Sequence, residues 1–208
     1  GMGCIIDRHN SLPFLNQEDI VICENINNII IGNLNKNGVG KKNKIGYRGI
    51  LYGSFIKQRN NKIKIIEFNS RFGDPECLIA LSLLKNNLYN ICNEIINKNL
   101  KSNLLFDNSS MLAVYLVPRN YPSFTESEII NIDSVSDTIK NNIIYGNIEE
   151  KNGDLYNLSS RTMIYLKKQN YLGDCFEDIY NDILLINSKN NLKYRKDIGL
   201  KYLFNKNI

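Results

Sequence analysis

Residues 62–76 read KIKIIEFNSRFGDPE. From Lys62 to Phe68 polar and apolar residues alternate at period two and then merge into an apolar stretch, the pattern of a half-buried strand. Just upstream, residues 47–56 (YRGILYGSFI) are rich in β formers, and the polar run 57–61 separates the two, so a hairpin is expected. Downstream, residues 75–84 read as a helix. Pro75 suits a first turn, where its missing N–H costs nothing, and Asp74 ahead of it suits an N-cap. The stretch is therefore a strand, a tight turn and a helix in immediate succession.

The turn is where chemistry can sit. Glu67 and Asn69 are two residues apart at a strand end and share a face. A carboxylate and an amide carbonyl together offer hard oxygen ligands of the kind Mg2+ takes when phosphates complete its shell. Arg71 follows, a guanidinium able to clamp a phosphoryl oxygen pair. Gly73 allows close backbone approach, and Asp74 can cap the helix or hold a substrate amine or hydroxyl. A plain strand end would use the same residues differently, with Asn69 in the turn and Glu67 paired to Arg71 on the surface. Spacing alone leaves both readings open.

Working outward, residues 1–14 show no period and read as a loop. Residues 16–31 carry apolar positions at helical spacing, with Glu18 and Asp19 at the end favoured by acids. A Gly/Lys/Asn linker is expected over 32–44 and a second helix over 88–96. Past about residue 105 the pattern changes. Strands are expected at 111–117, 128–132, 143–145 and 162–166, and a helix at 175–186, enough for a small α+β domain of its own.

Composition excludes several classes of function. Net charge is +5, from 26 basic and 21 acidic residues, but the lysines lie scattered among asparagines rather than clustered with aromatics, so no nucleic acid partner is expected. The tyrosines and phenylalanines at 47, 52, 55, 68 and 72 read as core packing. The five cysteines (Cys4, Cys23, Cys77, Cys92 and Cys175) are odd in number and form no C-x-x-C pair, which argues against a disulfide framework or zinc site and for reduced thiols. His9, beside Arg8, is the only histidine, so no multi-histidine site can form. No apolar run is long enough to span a bilayer and no signal peptide is visible, so the expectation is a cytoplasmic protein with no membrane partner.

EFNSRFGDPE resembles the E-F/Y-N-x-R-F-G-D-P-E signature of the glycinamide ribonucleotide synthetase family, ATP-grasp ligases of purine synthesis. Gly1, Met2 and Gly3 resemble the end of that family's T-G-G-M-G loop, and residues 7–14 (DRHNSLPF) its archaeal-type branch. YRGILYGS is similar to the family's Y-x-G-x-L-Y-x-G strand, with Ser54 for the last glycine, and residues 195–199 (RKDIG) to its C-terminal R-x-D-I-G. Two stretches differ: residues 118–122 read PRNYP where the family has G-Y-P, and 158–161 read LSSR where it has N-G-G-R, keeping Arg161.

The resemblance implies an α+β fold in which residues 1–105 form the C-terminal part of an ATP-grasp domain and 106–208 a small C-terminal domain. It implies a ligase that joins glycine to 5-phosphoribosylamine with ATP, through a glycyl phosphate. Glu67 and Asn69 match ligands of Mg2+ (or Mn2+) at the nucleotide, and Arg71 matches the catalytic arginine near the transferred phosphoryl group. Gly1, Met2, Gly3 and Asp74 match substrate-binding positions. The family's nucleotide-gripping part and N-terminal domain would precede Gly1, so the segment alone is expected to be inactive and to need that part as partner. Another ATP-grasp carboxylate–amine ligase, or a non-catalytic relic of the fold, are the alternatives.

Overall fold

The computed structural model describes residues 1–7, 15–37, 46–101, 103–123 and 126–200. Arg8, His9, residues 10–14 and the part of the expected linker from 38 to 44 lie outside them. In chain order the elements are β1 (Gly3–Ile6), α1 (Gln17–Asn37), β2 (Tyr52–Lys57), β3 (Ile63–Asn69), α2 (Glu76–Leu83), α3 (Leu88–Ile96), β4 (Ser110–Pro118), β5 (Ile129–Ile130), α4 (Asp137–Lys140), β6 (Ile143–Tyr145), β7 (Ile148–Lys151), β8 (Asp154–Asn157), β9 (Met163–Gln169), α5 (Leu172–Ile186) and β10 (Leu192–Lys193). They fall into two compact units, one of Gly1–Ser11, Leu78–Ser82 and Asn108–Ile208, the other of Leu12–Cys77 and Leu83–Asp107.

The first unit is built on β4, whose nine residues are all buried. The antiparallel sheet runs β1-β4-β9-β6, with β10 pairing to the end of β4, and β5-β8-β7 form a second, three-stranded sheet. Helix α5 buries Leu172, Cys175, Ile179, Ile183 and Ile186, spaced three and four apart along one stripe. Each such aliphatic side chain contributes about 1.5–3 kcal/mol on burial. A polar clamp joins the helix to β9: the Tyr165 hydroxyl and the Lys167 ammonium both donate to Asp182, at 2.7 and 2.8 Å.

The second unit pairs β2 with β3 and lays α1 against them. Cys23, Ile26, Asn27, Ile30, Ile31 and Leu34 are half-buried, a continuous helical stripe. Asn16 and Asp19 close the start of α1 reciprocally, each side chain accepting from the other's backbone N–H at 2.9 Å. Lys57 at the end of β2 donates to the same Asp19 carboxylate at 2.7 Å. Asn87 caps α3, accepting from the Asn90 N–H at 3.2 Å, and the Arg48 guanidinium donates to the Ile96 carbonyl at its other end.

Four expectations need correction. Part of the supposed loop at the N-terminus is strand β1, paired Gly3 to Val114 through Ile6 to Met111. Helix α1 runs through Gly32 to Asn37, because its inward stripe continues to Leu34. Strand β2 starts at Tyr52 rather than 47, since Gly49 at φ +140° breaks the extended run. Helix α2 starts at Glu76: Asp74 and Pro75 lie in a turn before it, joined by a cis peptide bond.

Candidate functional site

Strand β3 contains a register shift opposite Ser54 and Phe55. Ser54 pairs with Glu67 but Phe55 pairs with Ile65, so Ile66 is an extra residue, a β-bulge. Its consequence for side chains is simple. Ile63 and Ile65 share a face with Lys57, Phe55, Gly53 and Phe68, and this face meets α1: Lys57 bonds Asp19, and a Cβ on Gly53 would collide with Asn27. Phe55 and Phe68 pack edge to face there, centroids 6.2 Å apart. Past the bulge Glu67 and Asn69 point to the opposite face, together with their cross-strand partners Ser54 and Tyr52.

On that face Asn69 Nδ2 donates to Glu67 Oε1 at 2.8 Å. Glu67 is exposed and Asn69 half-buried. Arg71 is exposed in the turn that follows, and its Nη1 donates to the Phe72 carbonyl at 2.8 Å, which curls the side chain back along its own turn. Gly73 is buried, and its carbonyl accepts from the Cys77 N–H at 3.0 Å. The carboxylates of Asp74 and Glu76 and the guanidinium of Arg71 all act on Cys77, whose thiol is pushed up first by burial and then by the two carboxylates. Arg71, Asp74 and Glu76 therefore surround the start of α2.

Tyr52 and Glu76 are residues that sequence reasoning missed. The Tyr52 ring lies against Gly73: a Cβ there would come within 2.6 Å of Tyr52 Cε2 and 2.7 Å of Glu76 Oε2. The phenol is pushed up by burial, then by the nearby Glu76 carboxylate. A signal existed, since Tyr52 and Ser54 stand at period two, the spacing of one strand face, like Glu67 and Asn69.

Gly1, Met2 and Gly3 belong to the other unit. The Met2 carbonyl accepts from the Tyr115 N–H at 2.9 Å, and Gly3 has no room for a side chain against the Ala113 carbonyl and Ile198. Arg161 is half-buried in this unit, its guanidinium 4.9 Å from the centre of the Tyr115 ring. Tyr180 holds the 195–199 segment, its hydroxyl in contact with the carbonyls of Arg195 and Ile198. All five cysteines are free thiols.

Residues 1–77 match the family model described as phosphoribosylglycinamide synthetase, ATP-grasp (A) domain. The chain is 34% identical over 210 residues to a phosphoribosylamine–glycine ligase of Methanocorpusculum labreanum, and 34% over 211 residues to one of Methanocaldococcus jannaschii. In both cases all of this chain aligns, against 46% of the relative, so it spans a little under half their length. A crystal structure of phosphoribosylamine–glycine ligase from Thermotoga maritima superimposes with a TM-score of 0.74 over 95% of this chain and 46% of that one, at 20% identity, which is a likeness of fold. Over its whole length the chain is thus similar to part of phosphoribosylamine–glycine ligases, and over residues 1–77 to the ATP-grasp (A) domain of that family model.

Proposed function

We propose that this chain supplies the metal and phosphoryl wall of a ligase that condenses glycine with 5-phosphoribosylamine at the expense of ATP. The observation that carries the reading is the Glu67–Asn69 pair, in mutual contact on the face of β3 turned away from α1, with Arg71 next in line. The donor set fits a hard divalent cation. An exposed carboxylate and an amide able to present its oxygen leave most of the coordination shell to water and phosphate, as Mg2+ prefers. Mg2+ or Mn2+ held there would neutralise charge on the ATP phosphates.

The residues of the chain divide the work. Glu67 and Asn69 hold the cation. Arg71 leaves the Phe72 carbonyl and clamps the oxygens of the γ-phosphoryl group as it passes to the glycine carboxylate. The phosphoribosylamine nitrogen then attacks the carbonyl of the resulting glycyl phosphate, phosphate leaves, and the amine loses a proton. The products are glycinamide ribonucleotide, ADP and phosphate. Asp74 is a substrate-binding residue of the unit containing β3, and Gly1, Met2 and Gly3 are substrate-binding residues of the other. In this reading residues 1–105 are the C-terminal part of an ATP-grasp domain and 106–208 a C-terminal domain. The remaining half of the relatives' length supplies the nucleotide grip. The setting is cytoplasmic, in keeping with the free thiols.

Glu67→Gln tests the assignment. The variant should keep its circular dichroism and melting temperature but bind Mn2+ roughly tenfold or more weakly, followed by electron paramagnetic resonance of the free ion. Completed with the N-terminal half of the Methanocaldococcus jannaschii relative, it should form glycinamide ribonucleotide about 100-fold or more slowly than the unmutated chain. Unchanged Mn2+ affinity would sink the metal assignment.

A further inference from the structure

The contacts of Tyr52 set it apart from a core residue. It stands opposite Asn69 in the β2–β3 pairing and shares a face with Ser54, Glu67 and Asn69. Its ring occupies the space beside Gly73 that any side chain there would need, and the Glu76 carboxylate flanks the same glycine. The Glu76 carboxylate, at the start of α2, lies near enough to its hydroxyl to disfavour ionisation. One side chain thus touches both the strand that carries the Glu67–Asn69 pair and the turn that carries Arg71 and Asp74. All of these residues lie in one unit.

We propose that Tyr52 is a positioning residue, which sets the Arg71–Asp74 turn at a fixed distance from the Glu67–Asn69 pair by wedging its ring against Gly73. The physical logic is that of preorganisation. A cation and a guanidinium must grip one phosphoryl group from two sides, and an error of about 1 Å between them can cost on the order of 100-fold. Past its bulge β3 stays paired with β2 through Asn69, whereas the following turn is held by few backbone bonds, among them the one from Cys77 to Gly73. A rigid aromatic braced against a glycine supplies what the backbone does not. Glycine at 73 and tyrosine at 52 are then two halves of one contact. The proposal rests on the ligase reading, and it predicts that anion binding and metal binding respond differently to the same substitution.

The experiment uses the 208-residue chain and its Tyr52→Phe and Tyr52→Leu variants. Mn2+ affinity is read from the electron paramagnetic resonance signal of the free ion. Inorganic phosphate affinity, in saturating Mg2+, is read from the 31P line position. With Tyr52→Leu, phosphate binding should weaken about fivefold or more while the Mn2+ constant changes less than about twofold, and Tyr52→Phe, which keeps the ring, should stay within about twofold of the unmutated chain in both. A merely structural role would move both constants together with the melting temperature. Equal phosphate constants in all three proteins would overturn the proposal while Mn2+ binding kept the ligase reading intact. Failure of the unmutated chain to bind Mn2+ would overturn both. If Tyr52→Leu does not fold, Gly73→Ala decides, because a Cβ there would come within 2.6 Å of Tyr52 Cε2 and must displace the ring.

Discussion

Asp19 shows how much one side chain can carry in this fold. It closes the first turn of α1 through the Asn16 N–H and accepts from Lys57, so one carboxylate joins the helix to β2. Lys57 first, and the Asn16 bond second, hold its carboxyl below the ordinary aspartate value of 3.8. A depressed folded pKa means the stabilisation is present above the unfolded value and is lost as pH falls through the folded one. Asp19→Asn is therefore expected to lower the urea midpoint at pH 7, and the difference from the unmutated chain should vanish once the pH drops well below 3.8. An unchanged difference at pH 2 would show that the contact works through shape rather than charge. Part of this arrangement was legible in the sequence, where an asparagine and an aspartate three apart precede an apolar-periodic run. Lys57, nearly forty residues away, was not, because a cross-element ion pair leaves no local spacing.

At the scale of elements, what the sequence betrays follows from how local its cause is. α3 and β6 stand where periodicity puts them, at Leu88–Ile96 and Ile143–Tyr145, because each carries its own pattern and, for α3, its own cap. β1 has only four residues, and it is a strand because wholly buried β4, more than a hundred positions away, pairs with it. No window of sequence around Gly3 holds that information. Helix α1 outlasts its expected end because a glycine costs only about 1 kcal/mol in a helix, less than the inward positions beyond it return. The bulge in β3 was half legible. KIKII breaks alternation at Ile65 and Ile66, where the strand holds its extra residue. Deleting Ile66 should close the bulge and leave Glu67 opposite Ser54 and Asn69 opposite Tyr52, on the face they already occupy. The deletion is expected to keep Mn2+ binding within about threefold and most of the helical circular dichroism. Loss of Mn2+ affinity would mean that the bulge itself, and not only the pairing with β2, places the two residues.

Across the whole molecule the two units differ in their buried cores. The unit containing β4 buries every residue of that strand, with Ile129, Leu184 and Leu185 exposed, whereas the unit containing α1 buries Leu83 and Ile91 and leaves Ile20, Val21, Ile29, Ile65 and Ile66 exposed. Cys175 reports on the former: it is fully buried, and burial pushes its thiol up to about 11. Cys92, in the other unit, is exposed. At pH 8 Cys92 should be alkylated within minutes, while Cys175 should react only through opening of its unit, at a rate that rises with urea in step with loss of the sheet signal. Labelling of Cys175 as fast as Cys92 in the absence of denaturant would contradict the packing around α5. The exposed Ile66 adds something that no scan of substitutions would find. Replacing it with another β-forming residue should change little, because its side chain meets mostly solvent. What it supplies is slack. Ser54 fixes the side of Glu67 whether or not Ile66 intervenes, so the strand can hold or lose that one residue without exchanging inside for outside. Among relatives, a change of one residue in length at this point would therefore be as quiet as a change of letter.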